Sequence, residues 1–324
     1  IRSGEWIATA PFSGTAGFHL SGLYSPWVDI PELAKLFLES KHTGQQALRV
    51  FVNTVLAESW EENEGDGVET NDIMARAVNY ETPLPDSSIG VLCASADVQA
   101  DRIETLVCGY SNSQTWVVGF QIFYGSPTSE SLWLEVEEYL KTTWQHPSGQ
   151  DLRITRSFID SGYETGAVYN FCRKLESLGV RAIKGVGGSN RAEIGRPTKN
   201  NTSLCNVFPL GVNTLKTQIL ARLKIDDPKD SGFINFPDFL DEEFFLQLTS
   251  ERLIKRYVKG IPRMEFKQMR PRNEALDLMV YNLAAFRSLN ANMSVIQKKL
   301  EDIRKVTTKK RPQTRAKKFC NYCW

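Results

Sequence analysis

Apolar and polar positions change their spacing along this chain, and the changes predict its secondary structure. After residue 88 come three apolar runs of strand length with short turns between them, which is typical of an antiparallel meander. Helical and extended spacings then alternate, so the order becomes β-β-β-α-β-α-β. The predicted strands cover 89–99, 102–111, 114–125, 152–160 and 180–188, and the predicted helices cover 129–145 and 164–179. This order predicts an α/β fold, in which helices pack on the faces of a mixed sheet.

The segments on either side of this region differ in composition and divide the chain into parts. Residues 1–60 are rich in aromatic residues, glycine and proline, and they end in two helical stretches. Residues 61–88 are acidic and contain glycine and proline, which is typical of a linker. We therefore predict one domain over residues 89–290 and a basic tail over residues 291–324.

The second half of the predicted domain is less regular than the first. Residues 187–205 are rich in glycine, asparagine and arginine and have few apolar positions, which predicts a mobile loop. Helices are predicted over 212–225, 240–251 and 271–291, and a hairpin is predicted over 252–269. The last of these helices has an apolar stripe that can pack on the sheet.

The composition is that of an ordinary soluble globular protein. The chain has 324 residues, of which 41% are hydrophobic and 24% are charged, and no apolar run reaches the ~18 residues of a membrane span. It has no initiator methionine and no signal-peptide pattern, so we expect a part of a longer intracellular protein. Four scattered cysteines are expected in the core, while Cys320 and Cys323 form only half of a zinc-binding pattern.

Basic residues are concentrated near the C-terminal end. The net charge is only +1, but ten lysines and arginines lie between Lys298 and Lys318, against Glu301 and Asp302. Blocks of this kind often contact polyanions or partner proteins. They also occur as solvated, disordered ends, and the sequence leaves both interpretations open.

Three aspartates stand out because they lie in otherwise apolar elements. Asp97 is near the end of the first strand, Asp160 ends the strand before Ser161, and Asp277 lies on the last predicted helix. Aspartate is a poor strand former and is costly to bury. Taken singly, a strand-end aspartate is more often a turn former or a helix cap. Taken together, the three predict a shared site for divalent metal ions.

Such a site has a chemical use in cutting nucleic acids. Hydrolysis of a phosphodiester brings a charged nucleophile to a charged phosphate, and two Mg²⁺ or Mn²⁺ ions about 4 Å apart assist both the attacking and the leaving oxygen. These ions take oxygen ligands, so a few carboxylates suffice. Glu274 shares a helical face with Asp277 and could assist it. Asp101 and Glu104 are weaker candidates, because Asp101 fits the hairpin turn and Glu104 fits an outward-facing strand position.

Several segments, taken in their order, resemble those of one protein family. The chain is similar to the lambda-type group of terminase large subunits from tailed phages, and the resemblance covers about residues 5–290. It is carried by GFHLSGLYSPW, FVNTVLAESW, ADVQADRIE, FIDSGYETGAVYNFCR and RNEALDLMVYNLAA. No single motif is specific, but their joint order is. The resemblance implies an RNase H-like nuclease fold with metal-binding acids at Asp97, Asp160 and Asp277.

The resemblance also implies a function and partners. We expect a metal-dependent endonuclease that cuts concatemeric phage DNA into genome units in the host cytoplasm. Its expected partners are double-stranded DNA, a terminase small subunit and a portal ring bound through the basic tail, with no membrane.

Two departures from the family pattern limit these expectations. Such proteins also carry a packaging ATPase, but this sequence has no GxxxxGKS/T phosphate loop. We therefore expect the ATPase core to be absent from this chain and residues 1–60 to be its C-terminal edge. In addition, some relatives carry glutamate where this chain has Asp160.

A nuclease also has to hold a polyanion, and lysine and arginine supply most of the sequence-independent affinity. The candidates for DNA binding are Arg102, Lys184, Arg191, Arg196 and Arg272. Each of them taken singly is more often a solvated charge, and they are stronger candidates as a group around a loop. Two rival functions stay open, a resolvase- or transposase-type nuclease on the same fold and a non-catalytic module that docks on a portal or on DNA.

Overall fold

The computed structural model of the protein describes residues 5–7, 14, 16–43, 45–58, 68–188, 191–199, 204–258 and 261–310. These residues form two compact units. The described residues up to 58, together with 254–258 and 261–265, belong to the first unit, and the others belong to the second. None of the described helices is both long enough and apolar enough to cross a membrane.

The first unit contains the two predicted N-terminal helices. Helix α1 spans Ile30–Thr43 and helix α2 spans Gln45–Thr54, after a 3-10 turn at Gly22–Tyr24. Leu33 of α1 and Phe51 of α2 are buried, and the Phe51 ring lies 5.6 Å from the ring of Phe37. The helical spacing of apolar residues in this part of the sequence therefore predicts its helices correctly.

The second unit is built on one mixed sheet, which contains nine strands among the described residues. It begins with helix α3 (Thr70–Met74) and the strands β1 (Val91–Val98), β2 (Arg102–Tyr110) and β3 (Thr115–Tyr124). Helix α4 (Glu130–Leu140), strands β4 (Thr143–Gln145) and β5 (Asp151–Asp160), helix α5 (Thr165–Lys174) and strand β6 (Val180–Val186) follow.

The remaining elements complete this sheet, cover one of its faces, and form a separate hairpin that lies partly in the first unit. They are β7 (Thr198–Lys199), β8 (Asn206–Gly211), α6 (Val212–Leu223), β9 (Ile234–Asn235), α7 (Glu242–Leu248), β10 (Glu251–Val258), β11 (Ile261–Gln268), α8 (Glu274–Ser288) and α9 (Met293–Lys310). Strands β10 and β11 form the separate hairpin that the sequence predicts.

The strand order is β7-β8-β6-β5-β1-β2-β3-β9, with β4 paired to β5. Strands β1, β2 and β3 are the predicted antiparallel meander. Beside β1, the strands β5, β6 and β8 are added in parallel. A meander extended by parallel strands next to its first strand is the arrangement of the RNase H-like fold, so the predicted fold class is confirmed.

Each face of the sheet has its own apolar core. On one face, Leu106 and Phe158 pack with residues of α6, α7 and α8 such as Leu220, Phe245 and Met279. On the other face, Leu92 and Ile159 pack with residues of α4 and α5. Strand β1 is buried along its whole length, because both faces at the centre of this sheet are covered. The predicted core cysteines, Cys93, Cys108, Cys172 and Cys205, are buried and unbridged.

Three segments differ from the sequence prediction. The helix predicted over 129–145 ends at Leu140, and Thr143–Gln145 pair with β5 as strand β4, because threonine and tryptophan favour strands. Strand β8 has no counterpart in the prediction, since Pro209 interrupts its strand pattern. Within the predicted loop 187–205, Thr198–Lys199 pair with β8 as strand β7.

The two segments that flank the predicted domain are partly packed against it. The segment predicted as a linker is described from residue 68 onward, where Ile73 and Leu84 are fully buried. In the basic tail, residues Met293–Lys310 form α9, and Met293 and Leu300 of this helix are buried. Most of the remaining tail, with Cys320 and Cys323, lies outside the described residues.

Candidate metal centre

The end of strand β1 brings Asp97 to the face of the sheet on which helix α8 lies. Side chains two residues apart on a strand point to the same face, so Asp97 shares its face with Ser95. The Ser95 hydroxyl donates a hydrogen bond of 2.8 Å to the carbonyl oxygen of Leu278 on α8. Leu278 directly follows Asp277, and the first turn of α8 therefore lies over the end of β1.

A buried amide fixes the orientation of α8 on the sheet. The Asn282 side chain donates to the carbonyl oxygens of Leu106 at 3.0 Å and Cys93 at 3.2 Å. Its own oxygen accepts a hydrogen bond of 2.9 Å from the Tyr110 hydroxyl. Buried polar networks of this kind specify a single packing arrangement when every member is satisfied. The rotation of α8, and with it the direction of Asp277, is set by these contacts.

Asp160 lies beside Asp97 at the end of the neighbouring strand. In the parallel pair of β1 and β5, Ala96 is opposite Ile159, so the next residues of the two strands are Asp97 and Asp160. The backbone N–H of Gly162 donates 3.0 Å to the Asp160 carboxylate. A Cβ atom at Gly162 would lie 2.8 Å from that same oxygen, so glycine leaves room for the carboxylate to fold back on the turn.

The three carboxylates influence one another electrostatically. Burial, opposed by the hydrogen bond from Gln99 and assisted by the charges of Asp160 and Asp277, raises the pKa of Asp97 to about 7. Burial also raises the pKa of Asp160 above its ordinary value, against hydrogen bonds from the backbone and the charge of Lys184. The pKa of Asp277 is raised in the same way by burial, against the charge of Lys216. Burial is therefore the main reason why the pKa values of all three carboxylates are raised.

Lys216 is the buried cation nearest to Asp277. Its ammonium group lies 3.0 Å from the Asp277 carboxylate and 2.7 Å from that of Glu251. Asn273 links the same two carboxylates, because its side-chain amide donates 3.0 Å to Asp277 and 2.7 Å to Glu251. Asp277 is thus held from two sides, by a charge on α6 and by the residue that precedes α8.

The donor set is suited in kind to a hard divalent cation, since all three groups are carboxylates. The carboxylates lie where β1 and β5 end beside the first turn of α8. Among the described residues, however, no three His, Cys, Asp or Glu side chains form a closely gathered metal-binding group. Repulsion between like charges keeps such carboxylates apart. Binding of a cation would have to draw them closer together, and Asp277 would have to exchange part of its contact with Lys216.

Next to Asp97, two glutamates and two arginines form a closed set of ion pairs. Arg102 donates 2.7 Å to Glu104 and 3.0 Å to Glu274. Arg272 donates 2.9 Å to Glu104 and 3.4 Å to Glu274. We call these four residues the ion-pair ring. Glu104 is fully buried, so the prediction that it faces outward is wrong; the two arginines compensate the burial of its charge.

The other predicted DNA-binding residues lie on β6 and on the segment that follows it. Lys184 is exposed on β6 and follows Ile183, which pairs with Asp160. Arg191 and Arg196 are exposed on the segment between β6 and β7. This segment is anchored to the sheet by a bridge between Ile194 and Leu210.

Comparison with known proteins identifies the family. Residues 15–299 match the family described as "Terminase large subunit gpA, endonuclease domain". The chain belongs to this family. The terminase large subunit of Escherichia phage lambda is 31% identical over 279 residues, and that of Enterobacteria phage P21 is 31% identical over 281 residues. Each match covers 83% of this chain but only 43% of the relative, so the chain spans less than half the length of these terminase subunits.

A solved terminase nuclease is also similar in structure to this gpA-type domain. The large terminase nuclease from the thermophilic phage G20c is 11% identical, with a TM-score of 0.37. That similarity covers 67% of this chain and 98% of the G20c chain. Several sequence segments, taken in their order, predict a resemblance to lambda-type terminases, and the family match confirms it.

Several residues that shape the site in this terminase domain are missed by the sequence analysis. They are Ser95, Lys216, Glu251, Asn273 and Asn282, and each is at least partly buried. The sequence contains one indication of such residues: a lysine or a glutamate inside an apolar stripe is rarely buried unless an oppositely charged residue pairs with it. The identity of that partner depends on contacts between residues far apart in the chain, such as those of Lys216 with Asp277.

Proposed function

We propose that this terminase domain is a metal-dependent DNA endonuclease that cuts concatemeric phage DNA into genome units during packaging. One observation carries the proposal. Asp97 lies next to the last residue of β1, Asp160 ends the neighbouring parallel strand β5, and Asp277 lies in the first turn of α8, which Ser95 anchors over them. The family to which the chain belongs supports the same activity. Nothing specific in the structure favours a resolvase-type nuclease over this assignment.

The chain's own residues would bind and orient the metal ions. We propose that Asp97, Asp160 and Asp277 together would hold two Mg²⁺ or Mn²⁺ ions. When bound, such a pair of ions lowers the pKa of an attacking water and stabilises charge on the leaving oxygen. Gln99, the Gly162 amide and Asn273 each donate a hydrogen bond to one of the three carboxylates, and so restrict the orientation of that carboxylate.

Exposed cations on β6 and on the segment that follows it would hold the DNA strand. Lys184 lies next to Asp160, and Arg191 and Arg196 follow on the exposed segment. Contacts with phosphates do not depend on the base sequence, and the affinity that they supply falls steeply as the salt concentration rises. Arg102 and Arg272 are engaged in ion pairs with carboxylates, and we therefore do not include them in this surface.

Cleavage of a supercoiled plasmid tests the proposed function. We expect the purified chain to convert supercoiled plasmid to nicked and linear forms with Mn²⁺ or Mg²⁺, and to be inactive with EDTA. Substitution of Lys184, Arg191 and Arg196 by glutamine should raise the DNA concentration needed for half-maximal cutting and reduce the salt dependence of binding. If no nicking occurs at any metal concentration, the domain is a non-catalytic docking module instead.

The assembly partners proposed for this chain follow from the family. We propose that it works in the host cytoplasm with a terminase small subunit, and that the basic tail contacts a portal ring or DNA. Leu300 is buried, so removal of residues 298–324 would disturb α9, whereas a truncation after residue 310 keeps this helix. The truncated protein should bind portal or DNA more weakly and nick plasmid at the normal rate. Unchanged binding would contradict this role of the tail.

A further inference from the structure

The ion-pair ring connects the two elements whose relative position matters most for the metal centre. Glu104 on β2 is paired in register with Asp97 on β1, so the two side chains lie side by side on the same face. Glu274 begins α8 and lies three residues before Asp277, which places it on the same face of that helix. Each arginine therefore ties the neighbour of Asp97 to the helix that carries Asp277.

The ring is more buried than a surface ion-pair network. The Glu104 side chain is 0% exposed, that of Glu274 10% and that of Arg102 15%, while Arg272 is 43% exposed. Buried charges lose much of their hydration, and apolar residues of similar volume often stabilise a protein equally well. Stability alone is therefore a weak reason for placing four charged groups here.

One oxygen of Glu104 makes the arrangement still more costly. Its first carboxylate oxygen accepts hydrogen bonds from both arginines. Its second oxygen is buried and accepts no hydrogen bond from the described part of the chain. A buried oxygen without a hydrogen bond has lost its hydration and gains nothing in return. Beside Asp97 this oxygen also adds to the negative charge of the site.

We propose that the ion-pair ring of Arg102, Glu104, Arg272 and Glu274 is a positioning device for the metal-binding carboxylates. It holds the first turn of α8 against β2, so that Asp277 can approach Asp97 when a divalent cation draws the carboxylates together. The two arginines are then positioning residues of the metal centre rather than contacts to DNA. This inference rests on the proposed function, because it assigns the ring a role in that same site.

Variants that conserve charge distinguish an effect of the geometry of the two arginines from an effect of their positive charge. Lysine keeps the positive charge but replaces the rigid, planar fork of donors with one compact ammonium group on a flexible stem, so it does not reproduce the directed pair of hydrogen bonds that the guanidinium makes. We therefore choose Arg102→Lys, Arg272→Lys and the double variant. Two matched controls remove carboxylates that contact the same arginines outside the ring. These are Asp101→Asn, whose carboxylate lies 2.8 Å from Arg102, and Glu243→Gln, whose carboxylate lies 3.6 Å from Arg272.

Two readouts are compared, namely Mn²⁺ affinity measured by calorimetry without DNA and the Mn²⁺ concentration that gives half-maximal nicking. We expect the double variant to bind Mn²⁺ about tenfold more weakly, as is common when residues supporting metal ligands are changed. Its nicking rate at saturating Mn²⁺ should fall much less. Each single variant should show a smaller effect in the same direction, and both controls should behave as the wild type.

Two results would overturn the inference. One is a folded double variant whose Mn²⁺ affinity equals that of the wild type. The other is a drop in affinity that is equally large in the controls, which would show that charge rather than geometry is responsible. If the double variant fails to fold, Arg272→Lys at the half-exposed position decides by the same criteria. A wild-type protein that binds Mn²⁺ but never nicks DNA would reject the proposed function, while calorimetry would still decide the role of the ring.

Discussion

Replacement of Asp97 by asparagine is expected to reduce metal-dependent nicking by at least about a thousandfold. Asparagine has nearly the same shape as aspartate and can still accept the hydrogen bond from Gln99, so the fold should persist. It lacks the negative charge with which Asp97 would help to hold divalent cations. Metal ions contribute several kcal/mol to such reactions, and about 4 kcal/mol corresponds to a factor of a thousand in rate. The rate of plasmid nicking at saturating Mn²⁺ measures this loss.

The control for this prediction is Asp101→Asn, four residues further along the chain. The Asp101 side chain is 72% exposed and lies in the turn between β1 and β2, so its loss should leave nicking unchanged. Asp160→Asn and Asp277→Asn should each impair nicking severely, with less effect on folding than on activity. A folded Asp97→Asn protein that nicks at the wild-type rate would reject the assignment of the metal centre.

The Asp97→Asn substitution is expected to stabilise the protein when divalent metal is removed. Near about pH 8 in EDTA, the free energy of unfolding of Asp97→Asn should exceed that of the wild type by a few kcal/mol, on the order of 3. The reason is the cost of an ionised carboxylate at a buried position beside other carboxylates. Denaturant titration followed by circular dichroism measures the difference.

The direction of this effect follows from the two pKa values of Asp97. In the unfolded chain the pKa is about 3.9, whereas burial and the neighbouring carboxylates raise it to about 7 in the folded protein. The folded state therefore binds the proton more tightly. The stability that results is fully present below about pH 4 and is lost as the pH rises through about 7. The advantage of the asparagine variant should accordingly shrink towards acidic pH.

Addition of Mn²⁺ should reverse the order of stability. A cation that binds only the folded state raises its stability in proportion to the logarithm of the cation concentration. The melting temperature of the wild type should therefore rise with Mn²⁺, and that of Asp97→Asn should change little. An asparagine variant that is less stable than the wild type in EDTA near about pH 8 would contradict this account of the site.

The parts of the fold that local patterns could predict are those whose apolar spacing is regular. The meander β1–β3, strand β5 and helix α8 follow directly from alternation and helical periodicity. The three aspartates could be selected for a local reason too, because each interrupts an apolar element. Strand β4 could not be separated from the preceding helix, since two threonines and a tryptophan follow Leu140 without a glycine or proline to mark the boundary.

Contacts over long sequence separations account for what the sequence did not predict. Glu104 was expected to face solvent, because glutamate on a strand is rarely buried. It is buried because Arg272, 168 residues later in the chain, folds back to pair with it. Lys216 likewise pairs with Asp277 across two elements. Neither pairing has a periodic signal, so only the assembled sheet and helices reveal it.

Anomalous scattering from crystals of the full chain soaked in Mn²⁺ is the most direct test of the central claim. The claim is that Asp97, Asp160 and Asp277 together bind divalent cations at the C-terminal ends of β1 and β5. The account predicts manganese peaks within coordinating distance of the Asp97 carboxylate, shared with Asp160 on one side and Asp277 on the other. Manganese bound elsewhere, with these three carboxylates free of metal in a well-ordered crystal, would contradict it.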